Sequence, residues 1–170
     1  MSQDVLSLIT TSLTAGGMAL LLAAGAEDIA TRLVSNRLSL ALALCGVGLR
    51  SREGALWIAV PAALAVFVAA AFCWRRGWLG GGDVKLLGAA ALFVPPARIP
   101  ALLLATSLAG GALALLYLAL AALPPPTAPL GAKAKPIPRL LRIERWRIRR
   151  HGPLPYASAI AAGAVFTLFR

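Results

Sequence analysis

The sequence is poor in acidic residues, histidine and cysteine. It holds six Asp and Glu residues in 170, one histidine (His151) and two cysteines (Cys45 and Cys73). The cysteines lie inside apolar runs and form no CxxC pair, which argues against a disulfide framework and predicts small packing residues. No zinc or haem ligand set can be assembled from one histidine, and the GxxxxGK[ST] phosphate loop is absent. We therefore expect neither a metal nor another cofactor.

Apolar residues are abundant. They make up 59% of the chain, charged residues make up 14%, and the mean hydropathy is +0.81. A soluble domain of this length does not normally carry so much apolar content. We predict an all-α, polytopic membrane helix bundle, with residues 1–170 forming a single membrane-embedded domain.

Six apolar segments are separated by glycine, proline and basic residues. They cover residues 5–26, 36–49, 55–74, 84–94, 99–123 and 153–169. As helices, the second and fourth would be only about 21 and 17 Å long, against roughly 30 Å of hydrocarbon. Such short segments need extension by flanking residues, a locally thinned bilayer, or placement inside the bundle around a wet cavity.

The basic residues are unevenly distributed between the two sides of this bundle. With the N-terminus outside, thirteen of the seventeen Lys and Arg residues fall on the inner side, eight of them between Lys133 and Arg150. Basic loops mark the cytoplasmic side and attract anionic headgroups, so we predict an N-out/C-out topology. We predict a basic cytoplasmic loop over residues 124–152, lying on the membrane surface or in solvent. Nucleic acid is not an expected partner, because the basic residues lie between apolar runs.

Two of the few acidic residues stand at the ends of apolar segments on the same predicted side. Asp83 follows Gly80-Gly81-Gly82, and Asp28 lies 55 residues earlier. Ionisable residues in membrane segments are rare and usually functional. Two carboxylates close enough to share one proton can activate water and protonate a carbonyl, as in aspartic proteases. The alternatives are structural, with Asp83 as a helix N-cap and Asp28 as the polar end of the first helix, or a proton or cation site in a small transporter or channel.

Neighbouring residues suggest supporting roles in substrate binding or structure. The glycines Gly80, Gly81 and Gly82 permit unusual backbone dihedrals and close approach of another chain. Asn36 is expected to cap the second helix or to fix its entry by hydrogen bonding. Lys85 is expected to reach headgroup phosphates or to influence the two carboxylates electrostatically.

The residues around both aspartates resemble a known family. Gly80-Gly81-Gly82-Asp83-Val84-Lys85-Leu86 resembles the GxGDxKL motif of the type IV prepilin peptidases, which are aspartic membrane endopeptidases. The segment 28–36 resembles the family's first-aspartate segment, with Ser35 where proline is common. Pro155-Tyr156-Ala157 is similar to the start of its last helix, with Ala157 in place of a frequent glycine.

The resemblance implies removal of a short basic leader from prepilin-like and pseudopilin proteins, after a glycine and before their apolar helix. It implies that Asp28 and Asp83 act at the cytoplasmic face of the bacterial plasma membrane. The larger members of this family carry an insert with paired CxxC motifs and also N-methylate the product. This chain is similar to the small peptidase-only form associated with Flp-type (tight-adherence) pili, which implies cleavage without methylation.

Overall fold

The computed structural model describes residues 3–122, 148 and 154–169, and over these residues the fold is all α, as predicted. The described residues form six α-helices and one 3-10 turn, Pro96–Arg98, before the fifth helix. The helices are α1 (Gln3–Thr31), α2 (Asn36–Arg52), α3 (Leu56–Arg75), α4 (Gly81–Phe93), α5 (Ile99–Ala122) and α6 (Tyr156–Phe169). The predicted basic loop 124–152 lies outside the described residues, apart from Ile148.

Three of these helices are long and apolar enough to cross a membrane. They are α1, α3, and α5 together with its preceding 3-10 turn. A helix needs about 20 residues to span the hydrocarbon core, whereas α2, α4 and α6 have 17, 13 and 14. Each predicted apolar segment thus corresponds to a helix. Six membrane crossings and the N-out/C-out topology remain predictions.

Capping and turn residues set the ends of the helices that surround the predicted site. The Ser35 hydroxyl accepts a hydrogen bond from the backbone N–H of Arg37 at 3.3 Å and caps α2. The turn between α2 and α3 contains Gly54 at φ 65°, a left-handed conformation that favours glycine. α4 ends at Phe93, two residues before Pro95, because the residue preceding a proline is disfavoured in the helical region.

α4 is the central helix of the described fold. It packs against α2, α3 and α6, and eight of its 13 residues are buried. Backbone groups of a helix are satisfied internally, and a helix surrounded by protein need not match the thickness of the hydrocarbon. Of the alternatives open to this short segment, placement inside the bundle is the one observed.

Small residues allow neighbouring helices to approach α4 closely. A Cβ atom at Gly46 of α2 would lie 2.9 Å from backbone atoms of Leu92 and Phe93 in α4. The fully buried Phe93 ring occupies the space that a side chain at Gly17 of α1 would need. These contacts hold α1 and α2 against the helix that carries Asp83.

Candidate active site

Asp28 lies in the last turn of α1 and is 5% exposed. Its position in the last turn agrees with the structural alternative, in which Asp28 belongs to the polar end of the first helix. Its Oδ2 accepts a hydrogen bond of 2.9 Å from the backbone N–H of Ala157, in the first turn of α6. The first N–H groups of a helix have no partner within the helix. α6 therefore supplies a fixed donor to a buried carboxylate.

Asp83 lies in the first turn of α4. Its Oδ2 accepts a hydrogen bond of 3.2 Å from the backbone N–H of Gly80, which is the N-cap residue. Asp83 is therefore the third residue of the helix and not its N-cap. The alternative that Asp83 caps α4 as its N-cap residue is wrong. The contact is the carboxylate half of a capping box. It fixes one oxygen of Asp83 against the backbone.

The three glycines before Asp83 provide space and not unusual dihedrals. Gly80 has φ −77° and ψ 147°, which any residue adopts, and the positive-φ glycines of the described chain lie elsewhere. A Cβ atom at Gly80 would lie 2.8 Å from Oδ2 of Asp83, and one at Gly82 would lie 3.2 Å from the Cβ of Val34. The glycines thus make room for neighbouring side chains of the protein itself. The prediction of unusual backbone angles is wrong, and the close approach of a substrate chain stays a prediction.

Both carboxylates line one cavity of about 840 Å³, here called the carboxylate cavity. It lies where α1 ends and α2, α4 and α6 begin. All seven residues that the sequence singled out line it: Asp28, Asn36, Gly80, Gly81, Gly82, Asp83 and Lys85. Its volume falls within the range of about 300–1,000 Å³ typical of ligand sites.

The environment of Asp83 favours its neutral form. Asp83 lies outside the three candidate membrane spans. Burial, and then the negative charge of Asp28, raise the pKa of Asp83 to about 6, while the hydrogen bond from Gly80 acts in the opposite direction. The charge of Asp28 therefore acts on Asp83, and like charges disfavour ionisation of both groups.

Asn36 and Lys85 join α2 to α4 beside this cavity. Lys85 Nζ donates a hydrogen bond of 2.9 Å to Asn36 Oδ1. Ser35 is the cap of α2, so of the two roles considered for Asn36 only the hydrogen bond is observed. The ammonium group of Lys85 is thus oriented along the cavity wall by a neighbouring helix.

The sequence did not single out several other residues that line the cavity. Arg32 lies just past the end of α1 at φ 60°, and its guanidinium donates a 2.9 Å hydrogen bond to the hydroxyl of Tyr117 on α5. Tyr156, which precedes Ala157, also lines the cavity. The spacing of Arg32, one helical turn after Asp28, was an available signal. For Tyr156, the resemblance of Pro155-Tyr156-Ala157 to the start of the family's last helix was the available signal.

Comparison with known protein families shows to which family this chain belongs. It matches the type IV leader peptidase family over residues 15–115, more than half of its length, and this span includes Asp28 and Asp83. The chain belongs to the type IV leader peptidase family. No curated protein and no solved structure matches it.

Membership of the type IV leader peptidase family makes this protein a prepilin peptidase, a hydrolase. It implies prepilin substrates, and the family is one of bacterial membrane proteins, which agrees with three candidate spans. This result favours the peptidase interpretation over a proton- or cation-coupled transporter or channel.

Proposed function

We propose that Asp28 and Asp83 form the catalytic pair of this prepilin peptidase and activate water for cleavage of the leader. The observation that carries the proposal is that both carboxylates, 55 residues apart in the chain, line the carboxylate cavity. Aspartic proteases need two such groups, one ionised and one protonated.

The surroundings of the two carboxylates support different roles for them. Asp28 accepts a hydrogen bond from the Ala157 N–H, a contact that orients its carboxylate in the cavity. Asp83 has its pKa raised to about 6, mainly by burial, so it keeps a proton at a higher pH than an ordinary aspartate. In the proposed resting state Asp28 is the base and Asp83 is the acid.

The chemistry follows from these roles. The Asp28 carboxylate takes a proton from water as the water oxygen bonds to the scissile carbonyl carbon, and Asp83 gives its proton to the carbonyl oxygen. In the resulting gem-diol, Asp28 is protonated and Asp83 is ionised. Asp28 then protonates the amide nitrogen, Asp83 takes a hydroxyl proton back, and the C–N bond breaks. A carboxylic acid and an amine are released, and the pair is restored.

The glycines support this proposal by leaving room beside the acid. A substrate backbone in extended form needs close access to Asp83, and the Cβ of a larger residue at position 80 would contact its Oδ2. Gly81 and Gly82, in the first turn of α4, also line the cavity wall. We assign these glycines, with Lys85 and Asn36, to substrate binding or to support of the pair.

The proposal also covers the side of the membrane on which cleavage takes place and the substrates that are cleaved. The excess of basic residues on one side supports action at the cytoplasmic face, with an N-out/C-out chain, and attraction to anionic headgroups. The 170 residues contain no CxxC motif, which supports cleavage without N-methylation. Flp-type prepilins and pseudopilins are the proposed substrates.

Co-expression with a Flp-type prepilin tests the catalytic pair. Asp28→Asn and Asp83→Asn should each lower processing, followed as leader loss by mass, by a factor of about 10² or more, since each removes a proton-transfer group. Asp4→Asn, in the first turn of α1, is the matched control and should process normally. Normal cleavage by either cavity variant, at equal membrane levels, would refute the pair.

Topology has its own test. A cysteine introduced at position 140, in a chain without Cys45 and Cys73, should resist membrane-impermeant thiol reagents in intact cells. Labelling from outside would overturn the cytoplasmic assignment and leave the catalytic pair untouched.

A further inference from the structure

A second concavity lies on the side of the bundle, between α2 and α3 and over α4. This lateral groove has a volume of about 390 Å³ and includes Ser39 and Ala43 of α2, Ala63 and Leu64 of α3, and Gly88 and Leu92 of α4. α2 and α3 both pack on α4 but have few contacts with each other, which leaves α4 as the floor of the groove. Its lining is mainly apolar.

The lateral groove is continuous with the carboxylate cavity. Asn36 and Lys85 line both, and the hydrogen bond between them marks the boundary. From Lys85 the groove follows α4 as far as Leu92, which is about 10 Å at 1.5 Å per residue. A chain segment lying in the groove would thus have one end within two residues of Asp83 along α4.

The order of the prepilin chain distinguishes between possible occupants of the groove. The family resemblance places the cleavage site directly before the apolar helix of the substrate, so a prepilin whose cleavage site lies in the carboxylate cavity has that helix beside the cavity. The lateral groove is a mainly apolar surface that adjoins the cavity at Asn36 and Lys85.

We infer that the lateral groove binds the apolar helix of the prepilin, with the cleavage site leading past Asn36 and Lys85 into the carboxylate cavity. This inference rests on the proposed function, because it takes the carboxylate cavity as the place of cleavage. The helix runs alongside α4, away from Asp83.

The first test compares two substrates and two tryptophan variants. The substrates are a full-length prepilin and a peptide that contains the leader and cleavage site but lacks the apolar helix. Ala43→Trp fills the groove. Ala41→Trp is the control, because Ala41 lies on the same helix and is also half-buried but does not line the groove. The ratio of kcat/KM for full-length prepilin to that for the peptide should fall about tenfold in Ala43→Trp, because overpacking excludes the helix. Ala41→Trp should keep the ratio of the unsubstituted protein.

Cross-linking locates the helix without relying on cleavage. Leu64 in the groove and Val68 outside it lie one turn apart on α3 and are 58% and 57% exposed. In a chain without native cysteines, Leu64→Cys should form a disulfide with a cysteine in the prepilin helix, and Val68→Cys should not. Equal cross-linking at both positions, or equal substrate ratios in the two tryptophan variants, would overturn the inference and leave lipid as the occupant. Failure of the unsubstituted protein to cleave any prepilin would instead overturn the proposed function.

Discussion

Neutralising Asp83 should stabilise the folded protein above pH 6 while abolishing processing. Asp83→Asn keeps an oxygen that can accept the hydrogen bond from Gly80 but carries no charge. Each pKa unit corresponds to about 1.4 kcal/mol, so raising an aspartate pKa from about 3.9 in the unfolded chain to about 6 in the folded one disfavours the ionised folded form by about 3 kcal/mol. Because Asp83 is partly exposed, solvent screening reduces this figure to about 2 kcal/mol.

The pH dependence gives the sign of the effect. Below the unfolded pKa both states are protonated, and Asp83→Asn should match the unsubstituted protein. As the pH rises from about 4 to about 6, the unfolded chain ionises first, so the unsubstituted protein loses stability relative to the variant. Above the pKa of Asp83 in the folded protein, the difference in the free energy of unfolding between the two proteins reaches its full value.

Thermal unfolding in detergent micelles at several pH values measures this difference. At pH 8 the Tm of Asp83→Asn should exceed that of the unsubstituted protein by roughly 4–8 °C, and at about pH 3 the two should agree. Asp4→Asn is the matched control and should lower the Tm, because Asp4 lies at the start of α1, where a negative charge interacts favourably with the helix dipole. A Tm gain that is absent at pH 8, or equal at both pH values, would refute the argument that burial and Asp28 disfavour the Asp83 charge.

Three further results are expected. Gly46→Ala should lower the free energy of unfolding by about 1–3 kcal/mol, seen as a lower Tm, because its Cβ would lie 2.9 Å from the α4 backbone. Gly16→Ala is the control and should keep the Tm, because a Cβ at Gly16 would have no atom within 4 Å. Gly80→Ala should slow processing about tenfold at unchanged membrane levels, since its Cβ would displace Asp83 Oδ2; normal rates would exclude this steric role. For the unsubstituted protein, kcat/KM should decline as pH rises through about 6, where Asp83 loses its proton, and a flat profile from pH 5 to 8 would contradict its role as acid.

Much of the local structure follows from the sequence. The six apolar runs correspond to the six described helices, because long apolar stretches favour helices in a membrane and because proline and glycine interrupt them. The motif around Asp83 and the placement of Asp28 were sufficient to name both carboxylates. Details of the caps were less accurate: Ser35 caps α2, and Gly80 caps α4. Several residues near the helix starts were plausible caps, and the local backbone decides among them.

The contacts between helices were beyond the reach of the sequence. These helices are apolar around most of their circumference, so the pattern of residues does not mark which face is buried or which helix it meets. The hydrogen bond from Ala157 to Asp28 joins residues 129 apart, and that from Lys85 to Asn36 joins residues 49 apart. The burial of the Ser39 side chain likewise depends on how α2 and α3 pack on α4.

The sequence by itself determined that this chain is helical, apolar and equipped with two aspartates beside short segments. Those features depend on composition, local propensity and one specific motif. Only the tertiary structure decided that Asp28 and Asp83 line the same cavity, that α6 supplies a donor to one of them, and that a groove leads away from the other. The physical reason is that helix formation is satisfied within each segment, whereas the cavity and the groove arise from packing between segments that are distant in the chain.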